Sequence, residues 1–154
     1  MLTADTLGEL KAAVGEGAWR DAREDLSAYT VDFRRLYRGV TPLVLLPSSV
    51  DQVSRVLAIC NRERVGIVPQ GGNTGYCGGA TPDESGSQIV LSMRRLNRVR
   101  QIDAANHSLI VEAGCTLAET HAAARSTMLR RTETPKGFVR KNESDRILRE
   151  APNV

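Results

Sequence analysis

The sequence predicts an α+β fold with a small sheet of mixed strand directions. Short apolar runs typical of strands alternate with segments of helical periodicity, in the order strand, helix, strand, glycine-rich loop, three short strands of which the last two form a hairpin, and helix. The core must be aliphatic, because aromatic residues make up 4% of a chain that is 41% hydrophobic. A length of 154 residues suits one domain or part of one. We therefore expect no multidomain enzyme within this chain.

The first 47 residues predict one helix and one strand. Apolar residues recur at helical spacing over residues 6–14 and are followed by Gly15, which predicts a short amphipathic helix. Residues 25–39 show no clear period and predict a loop with short turns. Residues 41–47 form an apolar run that is bounded by two prolines, which is typical of a short buried strand.

A second helix follows this strand. Ser49 and Gln52 have the spacing of a capping box, and the helical pattern continues to about Arg64. The pattern predicts an inner face made of Val50, Val53, Leu57 and Cys60.

The remaining regular elements are four strands and a third helix. The strands are predicted over residues 65–69, 88–92, 99–102 and 108–112, and residues 103–106 form the turn between the last two. The helix is predicted over residues 116–125, with an inner face of Leu117, Ala118, His121 and Ala124.

The charge distribution changes near residue 125. Residues 1–124 carry 13 Lys and Arg against 14 Asp and Glu, whereas residues 125–154 carry 8 against 4 and few apolar residues. We therefore divide the chain into a lead-in (1–40), a main domain (41–124) and a basic divergent tail (125–154). The tail lacks aromatic interleaving and a dense basic block, so nucleic acid is not expected as a partner.

The sequence also bounds the cellular setting. It shows neither an apolar run long enough for a membrane span nor a secretory signal. Its three cysteines are widely spaced and form no C-x-x-C pair, which argues against a disulfide framework and a zinc site. We expect a cytoplasmic protein, or one in an organelle of similar redox poise, with no metal site.

Residues 70–79 are the one segment that we identify as a candidate functional site, because they place five glycines in ten residues after a buried strand. Glycines let the backbone approach a ligand closely, so successive N–H groups can converge on anionic oxygens. We therefore expect the ligand of this loop to be a phosphate or pyrophosphate group. Asn73 and Thr74 add side-chain donors, and Pro69 fixes the entry into the loop.

Two known phosphate-binding motifs do not fit this loop. The alternative without a ligand is that the loop is only a flexible hairpin connection. A dinucleotide fingerprint opens a helix, and a P-loop carries Gly-Lys followed by Ser or Thr. Here the loop contains no lysine and leads into a strand. A flexible linker would favour mixtures of Gly and Ser over Gly-Gly-Asn-Thr-Gly. We therefore expect the backbone amides of the loop itself to bind the anion.

Several segments together resemble the FAD-binding domain of the vanillyl-alcohol oxidase / p-cresol methylhydroxylase superfamily. They are Pro-Ser-Ser-Val-Asp-Gln-Val at 47–53, Val-Pro-Gln-Gly-Gly-Asn-Thr-Gly at 68–75, Ile-Val-Leu-Ser-Met at 89–93 and Val-Glu-Ala-Gly at 111–114. The chain looks closest to the branch of D-2-hydroxyglutarate and D-lactate dehydrogenases, and the upstream Tyr29, Asp32, Phe33, Arg34 and 37–39 also fit it. The likeness covers about residues 20–124.

The resemblance implies an α+β fold of the p-cresol methylhydroxylase type with bound FAD. The residues implied to hold the cofactor are Pro69, Gln70, Gly71, Gly72, Asn73, Thr74, Gly75, Gly78 and Gly79, with Pro47 starting a turn near the adenine. Members that attach the flavin covalently through this loop have a histidine where this chain has Asn73, so noncovalent FAD is implied.

The resemblance also implies that the chain is a truncated N-terminal piece of a flavin-dependent oxidoreductase acting on a small 2-hydroxy acid. Full-length members continue into a second flavin segment and a substrate domain, so no catalytic residue is assigned here and the chain alone is expected to be inert. The alternatives are a noncatalytic remnant and a small nucleotide-binding module. Cys77, His107 and His121 are not expected to be catalytic, because no partner for such chemistry lies near them in sequence.

Overall fold

The computed structural model describes residues 2–132, in which four helices and six strands are defined. The helices are α1 (Ala4–Val14), α2 (Arg23–Leu26), α3 (Val50–Glu63) and α4 (Leu117–Thr132). The strands are β1 (Trp19–Arg20), β2 (Val44–Leu45), β3 (Gly66–Gln70), β4 (Gln88–Ser92), β5 (Val99–Asp103) and β6 (Ser108–Val111).

The strands form a four-stranded sheet of mixed strand direction and a separate antiparallel pair. Together with the helices, this confirms the predicted α+β class. The larger sheet has the order β1-β2-β4-β3, in which β1 is antiparallel to β2 while β2 and β3 both pair in parallel with β4. Strands β5 and β6 form a separate antiparallel pair. Because β2, β3 and β4 run in one direction, their carboxyl ends share one edge of the sheet.

The larger sheet is buried on both faces. One core cluster joins α1 and α3 to alternate residues of β2 and β4, including Leu10, Leu45, Val56, Ile89 and Leu91. The intervening strand residues point the other way, into a second cluster of Leu26, Val44, Leu46, Val68 and Val90, against which Tyr29 packs. This alternation explains why β2 and β4 are continuous apolar runs in the sequence.

Helix α3 begins as predicted, but its predicted inner face is only partly correct: Cys60 is buried and Val53 is half-buried against the core. Ser49 Oγ accepts the Gln52 N–H at 3.2 Å, as a capping residue does. The predicted inner residues Val50 and Leu57 are 57% and 46% exposed, which corrects the prediction. The buried residues are Val56, Ile59 and Cys60.

The packing of α3 against α1 explains this difference. The apolar residues of α3 cover two adjoining stripes, so the sequence period alone does not select one of them. Gln52 Nε2 donates to the carbonyl of Val14 at the end of α1, at 2.9 Å. The bond joins the start of α3 to the end of α1, and Val56, Ile59 and Cys60 pack in the core cluster that these helices share with the sheet.

Helix α4 runs through Thr132, past residue 125 where the sequence analysis began the tail. Its predicted inner face is not buried within the described chain: Leu117 is 70% exposed, and Ala118 and His121 are also exposed. Among the described elements, α4 packs mainly against β5. The predicted poor packing of the tail falls mostly on residues 133–154, which lie outside the described residues.

Candidate functional site

The glycine-rich loop leaves the carboxyl end of β3 and returns as an irregular segment to β4, with no helix between them. This confirms the predicted strand-loop-strand context and excludes a loop that opens a helix. The Met93 N–H donates to the carbonyl of Gln70 at 2.8 Å, which joins the chain after β4 to the start of the loop. A Cβ on Gly71 would lie 3.9 Å from the carbonyl oxygen of Ala113. The loop therefore shares the sheet edge with the segments that follow β4 and β6.

The backbone amides of residues 71–80 are the main feature of the loop. Within residues 2–132, none of these ten N–H groups donates a hydrogen bond to another protein atom. The loop is largely exposed, so water can satisfy these groups in the free protein. A run of unpaired amide donors on a glycine-rich backbone is suited to donate hydrogen bonds to anionic oxygens.

Four of the loop glycines are not required by packing. A Cβ on Gly71 or Gly72 would have no neighbour nearer than 3.8 Å, and a Cβ on Gly75 or Gly79 would meet nothing within 4 Å. None of the four has a positive φ. The described chain would therefore accept a side chain at these positions, whereas a ligand lying against the backbone would not.

Gly78 is a structural glycine by contrast. Its φ is +71°, and a Cβ there would lie 2.8 Å from the ring of Tyr37. A larger residue would be strained in its backbone and would collide with this ring.

Two of the predicted cofactor residues, Pro69 and Gln70, belong to β3 itself. Pro69 is exposed and pairs opposite Leu91. Gln70 is only 2% exposed, and its Nε2 donates to the carbonyls of Tyr29 and Ala80 at 2.9 and 2.7 Å. Both amide hydrogens are thereby used within the chain, so the Gln70 side chain closes the base of the loop.

Asn73 also contacts the chain upstream of the sheet. Its Nδ2 donates to the carbonyl of Val31 at 2.8 Å, and its φ is +55°. Asparagine tolerates this left-handed conformation better than most residues do. Asn73 thus fixes the course of the loop, in addition to any donor it offers a ligand.

The segment against which the loop rests is a tight turn of residues 31–38. Asp32 is buried, and its carboxylate accepts the N–H groups of Tyr37 at 2.7 Å and Arg34 at 3.1 Å. These bonds, that of Tyr37 above all, hold the pKa of Asp32 below its usual range against the opposing effect of burial. The Arg34 guanidinium lies 3.9 Å from the centroid of the Tyr76 ring, in the middle of the glycine loop.

This turn was predicted as part of the lead-in (1–40), with no function of its own. The residues that contact the loop, Arg34 and Tyr37, lie about 40 positions upstream of it, so no local spacing connects the two segments. The resemblance supplied the only signal, because Arg34 and residues 37–39 match the pattern of the family branch.

The other residues considered from the sequence occupy structural or peripheral positions. Pro47 is fully buried between β2 and α3. Cys60 is buried, and this burial raises its thiol pKa to about 11, while Cys77 is exposed in the loop. Within residues 2–132, no three potential metal ligands come together. No helix in that range is long and apolar enough to cross a bilayer.

Comparison with known proteins identifies the family of the chain. The FAD binding domain family matches residues 41–133. The D-2-hydroxyglutarate–pyruvate transhydrogenase of Saccharomyces cerevisiae is 39% identical over 102 residues, covering 65% of this chain and 20% of that protein. The glycolate oxidase subunit GlcD of Bacillus subtilis is 33% identical over 114 residues, covering 74% of this chain and 24% of that protein. This chain thus spans about a fifth to a quarter of these relatives.

Solved structures show the same fold. An alkyldihydroxyacetonephosphate synthase superposes with a TM-score of 0.73 at 21% identity, over 82% of this chain and 25% of that one. p-Cresol methylhydroxylase superposes with a TM-score of 0.70 at 23% identity, over 81% of this chain and 25% of that one. Together with the family match, these likenesses confirm the resemblance and the FAD cofactor expected from the sequence. The chain is a partial member of the FAD binding domain family, with the p-cresol methylhydroxylase fold.

Proposed function

We propose that residues 69–79 hold the diphosphate of a noncovalently bound FAD, and that the chain is the cofactor-binding part of a flavin-dependent dehydrogenase of D-2-hydroxy acids. The observation that carries this proposal is the run of ten unpaired amides over residues 71–80. The four glycines with open space beside their Cα atoms lie in the same run. A diphosphate supplies the acceptor oxygens that such donors need.

The chemistry of the loop explains how it would bind without a helix N-terminus or a lysine. Each amide that donates to a phosphate oxygen forms a charge-assisted hydrogen bond, which is stronger than a bond between neutral groups. Glycine at 71, 72, 75 and 79 leaves the backbone open to such contacts. The side chains of Gln70 and Asn73 tie the loop to the carbonyls of Tyr29 and Val31. The loop therefore loses less conformational entropy when the ligand binds.

The absence of a covalent link follows from residue type. Asn73 occupies the motif position at which histidine would attach the flavin, and its amide has no nucleophilic nitrogen. We therefore propose that this chain retains FAD by contacts alone.

The reaction type and substrate class are inferred from the relatives. Their names describe D-2-hydroxyglutarate dehydrogenases, a putative D-lactate dehydrogenase and a glycolate oxidase subunit. Bound flavin would supply the hydride acceptor, while this chain would bind and orient the cofactor. Because the chain spans only about a fifth of these proteins, we propose that substrate groups lie in the part it does not span and that the chain alone is inert.

The division into a lead-in (1–40), an FAD-binding portion (41–124) and a basic tail (125–154) remains part of this proposal. A reducing compartment is proposed for the free cysteines: cytoplasm was the expectation from the sequence, whereas several relatives are named as mitochondrial.

The test is a titration of the purified chain with FAD, followed by the backbone amide resonances of residues 71–79. Specific binding should shift these resonances and turn the protein yellow. Gly72→Val should remove binding without unfolding the chain, because a Cβ at Gly72 meets nothing nearer than 3.8 Å. Gly8→Val, in α1 where the added Cβ also has open space, and Cys77→Ser should bind as the unaltered chain does.

Three outcomes would contradict the proposal, and a fourth would disqualify the variants as a test. If FAD shifted amides elsewhere and left residues 71–79 unchanged, the site would be wrong. Equal loss of binding in Gly72→Val and Gly8→Val would mean that the variants had unfolded. No binding by the unaltered chain would favour a noncatalytic remnant, and preference for a nucleotide without flavin would favour a small nucleotide-binding module.

A further inference from the structure

We infer that Arg34 is a further anion-binding residue of this site, which supplies the positive charge that the glycine loop lacks. The inference rests on the proposed function, because it concerns the same diphosphate. Residues 69–81 contain no charged side chain, so the loop offers only neutral donors to a ligand that carries negative charge. A cation must come from elsewhere if the site is to balance this charge.

The structure brings such a cation to the loop from the turn of residues 31–38. The Arg34 guanidinium stacks 3.9 Å from the centroid of the ring of Tyr76, which lies within the run of unpaired amides. Stacking on an aromatic face leaves the edge of the guanidinium, with its N–H donors, directed away from the ring. Those donors can meet phosphate oxygens at the loop.

Arg34 is free to take this role because nothing else in the described chain neutralises it. Among the side chains that the structure describes, which leave out those of residues 23–24 and 127–132, no carboxylate lies within ion-pair distance of its guanidinium, in contrast to Arg62, Arg98 and Arg100. The nearby acid, Asp32, uses its carboxylate to accept backbone N–H groups, including that of Arg34 itself. The backbone of Arg34 is thereby fixed while its side chain remains available.

The two neighbouring arginines fit the role less well. Among the described residues Arg35 has no contact with an aromatic ring, and its backbone has a φ of +60°. Arg38 lines a groove with Gly78 and Gly79, but Asp83 and Glu84 line the same groove, and their negative charges oppose an anion there. Arg35 therefore provides a matched control: it has the same charge and lies in the same turn, but it does not stack on the loop.

The experiment measures the dissociation constant for ADP, a probe that carries a diphosphate without the flavin, by calorimetry at low and high salt. Arg34→Gln should weaken binding roughly 10- to 100-fold, the range for loss of a charge-assisted hydrogen bond, and should reduce the salt dependence. Arg35→Gln should change binding less than twofold. Arg34→Lys should fall between the unaltered chain and Arg34→Gln, since it keeps the charge without the planar donors.

Arg34 could also affect binding by holding the loop in place without touching the anion. The amide resonances of the loop in the ligand-free variants distinguish this effect from a direct contact. If Arg34 contacts the anion, these resonances in Arg34→Gln stay close to those of the unaltered chain while the affinity falls. Displaced resonances with unchanged salt dependence would mean that Arg34 only braces Tyr76, which overturns the inference. Equal losses in Arg34→Gln and Arg35→Gln, or no loss in either, would also overturn it.

The two proposals fail in different ways. If FAD shifts the loop amides but Arg34→Gln binds ADP normally, the loop remains the site and only the role of Arg34 is wrong. If the unaltered chain binds neither ADP nor FAD, both proposals fall.

Discussion

Asn73 can be replaced in two ways that separate its hydrogen bond from its backbone conformation. Asn73→Gly removes the 2.8 Å bond from Nδ2 to the carbonyl of Val31 and leaves a residue for which a φ of +55° is unstrained. Asn73→Ala removes the same bond and forces an ordinary L side chain into the left-handed region.

The two losses can be estimated from these features. One hydrogen bond contributes about 0.5–1.5 kcal/mol, and the left-handed conformation costs alanine roughly 1–2 kcal/mol. We therefore expect Asn73→Gly to lower the free energy of unfolding by about 1 kcal/mol and Asn73→Ala by about 2 kcal/mol. Both losses should appear in global unfolding, because Val31 lies close to Tyr29, which packs against the second core cluster.

The assay is urea unfolding, followed by far-ultraviolet circular dichroism and by the fluorescence of Trp19, which packs against the first core cluster. Affinity for FAD should fall in both variants, because the loop would lose its anchor to residues 31–38. Equal stability of the two variants would show that the backbone conformation at Asn73 costs nothing. An unchanged stability in Asn73→Gly would show that the bond to Val31 does not hold the loop.

The remaining predictions concern packing, pH and the flavin. Gly114→Ala should lower the free energy of unfolding by about 1–3 kcal/mol or more, because its Cβ would lie 2.0 Å from the carbonyl oxygen of Met93. Gly8→Ala should stabilise α1, because its Cβ has open space. Urea midpoints that rank the two variants otherwise would contradict this. Glu112 is buried and accepts the Arg98 N–H at 3.0 Å, a bond that, with the Arg100 guanidinium, lowers its pKa despite burial. The ionised Glu112 should therefore stabilise the fold at neutral pH, and this stabilisation should disappear as the pH falls below the usual glutamate pKa of about 4.5 and through the lowered value. Glu112→Gln should have a lower free energy of unfolding than the unaltered chain at neutral pH, and the difference should vanish in acid. A difference that does not depend on pH would exclude this cause. Any bound flavin should be released intact by denaturant, and flavin that stayed on the unfolded chain would refute noncovalent binding. The purified chain should show no dye-linked turnover of D-lactate or D-2-hydroxyglutarate, and measurable turnover would show that it carries substrate groups of its own.

The order of the longer elements was predictable because each has a local signal, whereas the two-residue β1 and the four-residue α2 were not predicted. The capping pair Ser49 and Gln52 and the glycine after α1 mark helix ends, and the apolar runs of β2 and β4 mark buried strands. The glycine loop was recognisable as a ligand site because glycine density and the following strand can be read from neighbouring residues.

The buried faces of the helices were not predictable in the same way. The sequence places apolar residues on two adjoining stripes of α3, and the packing of α3 against α1 and the sheet decides that Val56 and Ile59 are buried. For α4 the predicted stripe is exposed within the described chain, because burial depends on a packing partner and periodicity does not supply one.

By itself, the sequence determined the α+β class, the glycine loop and its likeness to flavin-binding domains, since these depend on the types and spacing of nearby residues. Tertiary structure alone decided which residues support that loop. Tyr29, Val31 and Arg34 contact Gln70, Asn73 and Tyr76 across about 40 positions of chain. Such contacts form only when the sheet places distant segments at one edge, because no local preference of the chain connects residues so far apart.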